Sequence, residues 1–331
     1  MTRSFPPTQL PQPFVAIGTY KLNADSIESS IHAALQHNIN SIDTASIYQN
    51  EQLVAEAINS YAHQQYHANK NIQLSDSIQP LSTAANESAP LCITSKVQPR
   101  DLRTSAAVMK SCDRSLEKLQ LHDTTKQYFN NNVVYIMLLH WCTPAMNYSD
   151  MSVDQMNQYR MVAYNGLQQY MTNGKYQLNY IGVSNYSLSH IKALIEHPQY
   201  SIPCYCNQIE LHPLLYHTHL PLIQYCTLHN IQIHAYSVLG QNNHMLITNR
   251  TIVDLADKYN VTSAQILIRW CIQHSFTPVY KSTDPQHIQQ LCSDQLSRFV
   301  ITDSDMLILD DMESQYGTHY FTWNKSVDSI P

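Results

Sequence analysis

Along most of the chain, short apolar runs alternate with longer stretches in which apolar residues recur at helical spacing. The apolar runs fall at residues 14–22, 41–43, 91–96, 133–140, 180–185, 205–210, 231–240 and 277–282, each short enough for a buried strand. Between them, apolar residues three and four apart predict helices at 26–35, 50–60, 100–119, 155–171, 188–196, 220–228, 249–259 and 263–273, followed by 285–291 and 303–311. Asn173-Gly174 predicts a left-handed helix end. Almost no hairpin signal of the Asn-Gly type separates the strands, so they pair in parallel, and eight parallel strands alternating with helices close into a (β/α)8 TIM barrel, a single α/β domain. A doubly wound sheet would want a Gly-x-Gly-x-x-Gly turn after an early strand, and the six glycines form none. On this reading residues 1–13 are a lead-in, 14–311 the barrel, and 312–331 a tail near its mouth. A polar, aperiodic insertion occupies about 61–90, and a second polar stretch covers 123–132.

Three of the runs end in groups that can move or steer a proton. SIDTASIYQNE, residues 41–51, supplies Asp43 and Tyr48; ITSKV ends near Lys96; VVYIMLLHWC carries His140. In barrels of this kind chemistry sits at strand carboxyl ends, where the scaffold is rigid and the loops vary. Each residue has a plain alternative, Asp43 as a helix cap, Tyr48 as a half-buried aromatic, Lys96 as an exposed strand end and His140 as a core histidine. What argues against four independent coincidences is their shared position.

Composition narrows the partners. The 331 residues are 44% hydrophobic and 13% charged with a formal charge of -6, enough apolar material for one large core. Without a basic run, neither nucleic acid nor an anionic membrane surface is the expected partner. The eight cysteines include no Cys-x-x-Cys, so no metal is expected, and Cys204 with Cys206 reads as same-face strand positions. Prolines interrupt the N-terminus where a signal peptide needs its apolar centre, and no run of 18 apolar residues occurs, so a cytoplasmic protein with reduced thiols is expected.

GTYKL, IDTASIYQNE, ITSKV, LLHW, IGVSNYS, NQIELHP, AYSVLG and YKS occur in this order between Gly18 and Ser282. Together they resemble the aldo-keto reductases over nearly the whole chain. The resemblance implies NAD(P)H-dependent reduction of aldehydes and ketones by a monomer, with Tyr48, Asp43, Lys96 and His140 as its catalytic tetrad and Tyr48 as proton donor. Chemically, a free phenol with a pKa of about 10 is a poor acid at neutral pH, so Lys96 is expected to lower it, Asp43 to hold Lys96, and His140 to orient the carbonyl oxygen. Hydride requires a cofactor, since no side chain carries one.

By resemblance Ser184, Asn185 and Gln208 hold the nicotinamide carboxamide, Tyr236 stacks on the ring, and Ser237 and Leu239 lie where the loop covers the pyrophosphate. Lys281 and Ser282 match the positions that meet the ribose phosphate of NADPH. The pattern breaks at His287, where the family usually has arginine, and at Leu291, where it has asparagine. A neutral imidazole supplies little charge, so NADPH is expected with weakened discrimination, NADH being the alternative. Tyr20, Trp141 and the tail near Trp323 are expected at an open, tolerant substrate pocket, with Cys142 where proline is usual; His212 is expected to be structural. Two rival readings are a nucleotide-binding regulatory or scaffold barrel that turns nothing over, and a hydrolase using paired carboxylates, for which no strand-end pair is evident.

Overall fold

The computed structural model describes residues 15–73, 90–145, 151–241 and 244–322, the side chains of 67–73 excepted. Eight strands, β1 (Ala16–Gly18), β2 (Ser41–Asp43), β3 (Leu91–Val97), β4 (Val133–Leu139), β5 (Tyr180–Ser184), β6 (Cys206–Glu210), β7 (Gln232–Tyr236) and β8 (Thr277–Tyr280), pair in chain order and close. Every pairing is parallel, β8 returning to β1. Around them run α1 (Ala24–Gln36), α2 (Glu51–Gln73), α3 (Ser105–Lys118), α4 (Asp123–Tyr128), α5 (Val153–Asn173), α6 (Leu188–Ile195) and α7 (Tyr216–Leu228). The layer is completed by α8 (Arg250–Tyr259), α9 (Ser263–Gln273), α10 (Pro285–Gln290), α11 (Ser293–Leu296), α12 (Asp303–Asp310) and α13 (Met312–Tyr316). This is the (β/α)8 TIM barrel the alternation predicts.

Strand parity places the site. On β4, Tyr135, Met137 and Leu139 belong to the large core between barrel and helices, whereas Val134, Ile136 and Leu138 pack with Cys92, Tyr180, Tyr205 and Cys206 in a small separate core. Because side chains alternate sides, the second set lines the barrel interior. Continued upward at the same parity, the inward positions become Asp43, Lys96, His140, Ser184, Gln208 and Tyr236. The apolar floor ends and a polar mouth begins on one face.

Helix starts follow local chemistry. Asn23, Ser152, Ser187 and Thr262 each cap a helix by accepting the third backbone N–H, and the residue at that third position answers with its own side chain. The scarce glycines are replaced at left-handed turns by Asn38, Asn130, Asn131, Asn185, Asn230 and Asn260, whose short amide tolerates that geometry.

Several expected boundaries are corrected. The helix expected to stop near residue 60 runs on to Gln73, so the stretch read as an insertion from 61 starts as regular helix; residues 74–89 lie outside the described residues, as do 1–14 and Trp323. The polar stretch after 123 contains α4. α7 begins at Tyr216 and carries Pro221 inside it, where sequence reading started the helix only at 220. Gly174 is extended (φ −64, ψ 153), not left-handed. Its glycine requirement is close approach, since a Cβ there would lie 2.5 Å from the Tyr170 ring and carbonyl. Cys204 and Cys206 do not share a strand face: β6 starts at Cys206 inside the barrel, and Cys204 packs in the outer core with its thiol donating to the Cys206 carbonyl at 3.4 Å. The tail expected from 312 opens with α13.

Gly182 marks the tightest interior contact of β5. A Cβ there would meet the Cys206 carbonyl at 2.6 Å and Leu138 Cδ2 at 2.9 Å. Gly182→Ala is expected to cost about 1–3 kcal/mol through overpacking. Urea unfolding is the check, and an unchanged midpoint would mean that β5 and β6 can separate freely.

Candidate active site

The mouth is assembled from the ends of β2 to β7. Asp43 is buried at the end of β2 and accepts from Lys96 Nζ at 2.6 Å on Oδ1 and from Gln208 Nε2 at 2.8 Å on Oδ2. Lys96, 1% exposed on β3, also donates to the Thr44 carbonyl at 2.9 Å. A buried ammonium and carboxylate are costly unless paired and hydrogen-bonded, and both conditions are met here. Asn50 fixes the backbone beneath, its amide donating to the Thr19 carbonyl at 2.9 Å while its oxygen accepts from Thr44 Oγ1 at 2.9 Å.

Tyr48 stands on a short 3-10 turn after β2. Its ring centroid lies 5.3 Å from Lys96 Nζ, 5.7 Å from the His140 ring and 5.0 Å from the Tyr20 ring. The expected tetrad therefore converges. One expectation is reversed: burial, then the charges of Asp43 and Tyr20, hold the Tyr48 phenol well above its usual value. Burial is the largest cause, and Asp43 offsets part of the positive charge of Lys96 beside the phenol.

His140 follows β4 directly and is pushed down from 6.5 to about 3 by burial and by Lys96. It is a neutral imidazole whose buried Nδ1 has no hydrogen-bond partner among the described residues. His234, deeper on β7, is likewise pushed from 6.5 to about 3 by burial first. In both cases the unfolded chain binds protons that the fold refuses, so stability is complete above 6.5 and falls as pH drops toward 3. Each histidine contributes up to about 1.4 kcal/mol per pH unit within that window. Urea midpoints measured from pH 7 to 4 check this, with His234→Leu expected to flatten the slope by about one proton.

The residues assigned by resemblance to a carboxamide also meet. Ser184 Oγ donates to the Gln208 carbonyl at 2.8 Å, Asn185 Nδ2 donates to the His140 carbonyl at 3.0 Å, and the Tyr236 hydroxyl donates to Asn185 Oδ1 at 2.7 Å. Amide and hydroxyl groups are the right donors and acceptors for a nicotinamide carboxamide, and the half-buried Tyr236 ring offers a stacking face. Asn185 Oδ1 accepts from the Tyr236 hydroxyl with one of its two lone pairs. Gln208 Nε2 also donates one of its two N–H groups to Asp43 Oδ2. Ser237, left-handed at φ 57, shares a 2.9 Å hydrogen bond with Thr322, and Leu239 is half-buried two residues on.

Lys281, Ser282 and His287 lie elsewhere on the rim, after β8. Lys281 is exposed, the Ser282 carbonyl accepts from Ser30 Oγ at 2.8 Å, and exposed His287 lies 3.7 Å from Asp284. Tyr20 is 46% exposed beside Tyr48, and Trp141 is half-buried next to His140.

Sequence reading missed three contributors. Ile47, half exposed on the Tyr48 turn, adds apolar surface to the mouth. Glu210 ends β6 and accepts the backbone N–H of Phe321 at 2.5 Å and of Thr322 at 3.2 Å, which brings the chain's last described residues to the mouth. Glu51 is buried at the start of α2, accepting from Ser95 Oγ at 2.6 Å. Only inward parity on β6 signalled Glu210; the other two carried no sequence signal beyond neighbouring the turn. His212 is buried 3.6 Å from Glu210, as a structural residue would be.

The sequence profile described as the aldo/keto reductase family matches residues 15–313. Aldehyde reductase YPR1 of Saccharomyces cerevisiae is 27% identical over 321 residues, covering 92% of this chain and 89% of that protein. Methylglyoxal reductase DkgA of Salmonella typhimurium is 30% identical over 278 residues, covering 84% and 82%. Among solved structures, an aldo-keto reductase named MGS-M4, from a Medee basin deep-sea metagenome library, superposes with a TM-score of 0.69 at 24% identity, covering 97% of this chain and 96% of that one. That last likeness concerns the fold.

Proposed function

The chain belongs to the aldo/keto reductase family, and from that membership we propose that it reduces aldehydes and ketones to alcohols, Tyr48 giving the proton. The observation that carries the reading is the buried relay Gln208–Asp43–Lys96 set against the Tyr48 and His140 rings at one barrel mouth. A bound nicotinamide coenzyme supplies the hydride. The raised phenol stays protonated across the neutral range, a full proton reservoir. Its proton moves only when the carbonyl oxygen becomes an alkoxide, a stronger base than phenolate. Lys96 then stabilises the phenolate left behind from a position fixed by Asp43, and uncharged His140 presents a ring N–H to the developing oxyanion.

Short aldehydes and oxoaldehydes of the methylglyoxal kind are the proposed substrates, since the relatives carry those names and exposed Tyr20 and Ile47 leave the mouth open. Ser184, Asn185, Gln208 and Tyr236 are proposed to hold the carboxamide end, Ser237 and Leu239 the pyrophosphate, and Lys281, Ser282 and His287 the ribose phosphate. The protein is proposed to act as a cytoplasmic monomer; among the described residues no helix is long and apolar enough to cross a membrane. Following coenzyme absorbance with methylglyoxal and an aldehyde panel tests the reading, and absence of turnover across the panel with either coenzyme would end it. KM is expected to be lower for NADPH than for NADH, by a modest ratio because His287 replaces a permanent charge. A strong NADH preference would overturn the assignment of Lys281.

A further inference from the structure

His140 opens a short segment whose backbone is tied down on three sides. Its N–H donates to the carbonyl of Val97, the last residue of β3, at 3.0 Å, and its own carbonyl accepts from Asn185 Nδ2 at 3.0 Å. Two residues on, the Cys142 carbonyl accepts from Arg160 Nε at 3.0 Å, while Arg160 Nη1 donates to Asn157 Oδ1 at 2.7 Å. Arg160 and Asn157 both belong to α5, and Arg160 is only 2% exposed. Burial lowers the pKa of this guanidinium from the usual arginine value, which marks the cost of placing a charge there. A neutral donor would satisfy one carbonyl with less desolvation. What arginine adds is shape, because its planar fork holds two acceptors in a fixed relation. One acceptor is on the rigid helix and the other on the loop after His140. The charge also reaches the buried Cys142 thiol, drawing it down against the larger upward push of burial, and the buried Tyr186 phenol just after β5.

We propose that Arg160 is a positioning residue for carbonyl reduction, fixing residues 140–142 from α5 and with them the aim of the His140 ring and the Trp141 wall. The proposal rests on the reading of His140 as the group that orients the carbonyl oxygen. His140 does little to hold itself, since its buried Nδ1 has no hydrogen-bond partner among the described residues. Its ring is therefore aimed by its backbone and by packing. Trp141 sits between two held carbonyls, that of His140 on Asn185 and that of Cys142 on Arg160. Asn185 belongs to the proposed coenzyme end, so one anchor of the segment faces the coenzyme and the other is fixed in the helix layer. A directing group displaced by about 1 Å can cost on the order of 10²-fold in rate, which is the scale on which such an anchor acts.

Arg160→Met in the full chain is expected to lower kcat per folded molecule by roughly 10–100-fold while coenzyme affinity is kept. Arg160→Lys keeps the charge and a donor but not the fork, and is expected to recover part of the rate. With a prochiral ketone, Arg160→Met is expected to give an alcohol of lower enantiomeric purity, because a loosened His140 lets the carbonyl present either face to the hydride. A residue that only stabilised the fold would lower Tm and leave the handedness of the product unchanged. Amide hydrogen exchange read by mass spectrometry needs no turnover, and is expected to quicken at residues 140–145 while β3 keeps its protection. Should Arg160→Met not fold, Asn157→Ala releases the other end of the fork and is expected to give a smaller fall in kcat of the same kind. Unchanged kcat per folded molecule, unchanged enantiomeric purity, or exchange that quickens throughout the barrel would overturn the proposal. If the unaltered chain turns over no carbonyl at all, the reductase reading fails instead, and the exchange measurement still decides whether Arg160 holds this segment.

Discussion

Tyr48→Phe is expected to lower kcat by about 10²–10⁴, the span attributable to one positioned acid. Phenylalanine keeps the ring and its contacts with Tyr20 and His140, so the fold and coenzyme affinity are expected to survive. Only the proton is removed. The measurement pairs steady-state rates with coenzyme titration by fluorescence quenching. A variant that binds coenzyme and still turns over near the wild-type rate would remove Tyr48 as the donor. The raised phenol adds a second signature, because the rate should show no loss near neutral pH from Tyr48 ionisation. A phenol that Lys96 had acidified would instead lose activity as pH rose.

Lys96→Met is the other large effect, and it falls on stability as well as turnover. Removing the ammonium strands the Asp43 carboxylate in the barrel, where Gln208 alone cannot compensate its charge. Breaking a buried pair from one side typically costs about 3–5 kcal/mol. For a chain of this length that is a fall of about 4–7 °C in Tm. Combining Lys96→Met with Asp43→Asn removes both charges, and the double variant is expected to recover much of the loss while remaining inactive. Thermal unfolding of the three proteins checks this. If the double variant is as unstable as the single one, the cost lies in packing around Lys96 and not in an unpaired charge.

Much of this was legible because it is local. The eight runs and the motifs at their ends are written in neighbouring residues, and strand parity follows from a period of two. Asp43, Lys96 and His140 could be named because each closes a run with a polar side chain. Gly174 shows the limit, since a helix-ending glycine reads as a left-handed cap until the Tyr170 ring is seen against it. The polar stretch beyond residue 60 shows another, for the composition of α2 there carries no apolar stripe by which to read it as helix.

The sequence by itself determined the order of strands and helices and which side chains end the strands on the inner face, because periodicity and capping depend on residues a few positions apart. The tertiary structure alone decided that Gln208 would hold Asp43 across 165 residues, that Glu210 would hold the backbone of Phe321, and that burial with Asp43 and Tyr20 would raise the Tyr48 phenol. Distances between strand ends are fixed only when the barrel closes. The acidity of a group is a sum over everything that displaces its water, and that sum exists only in the folded chain.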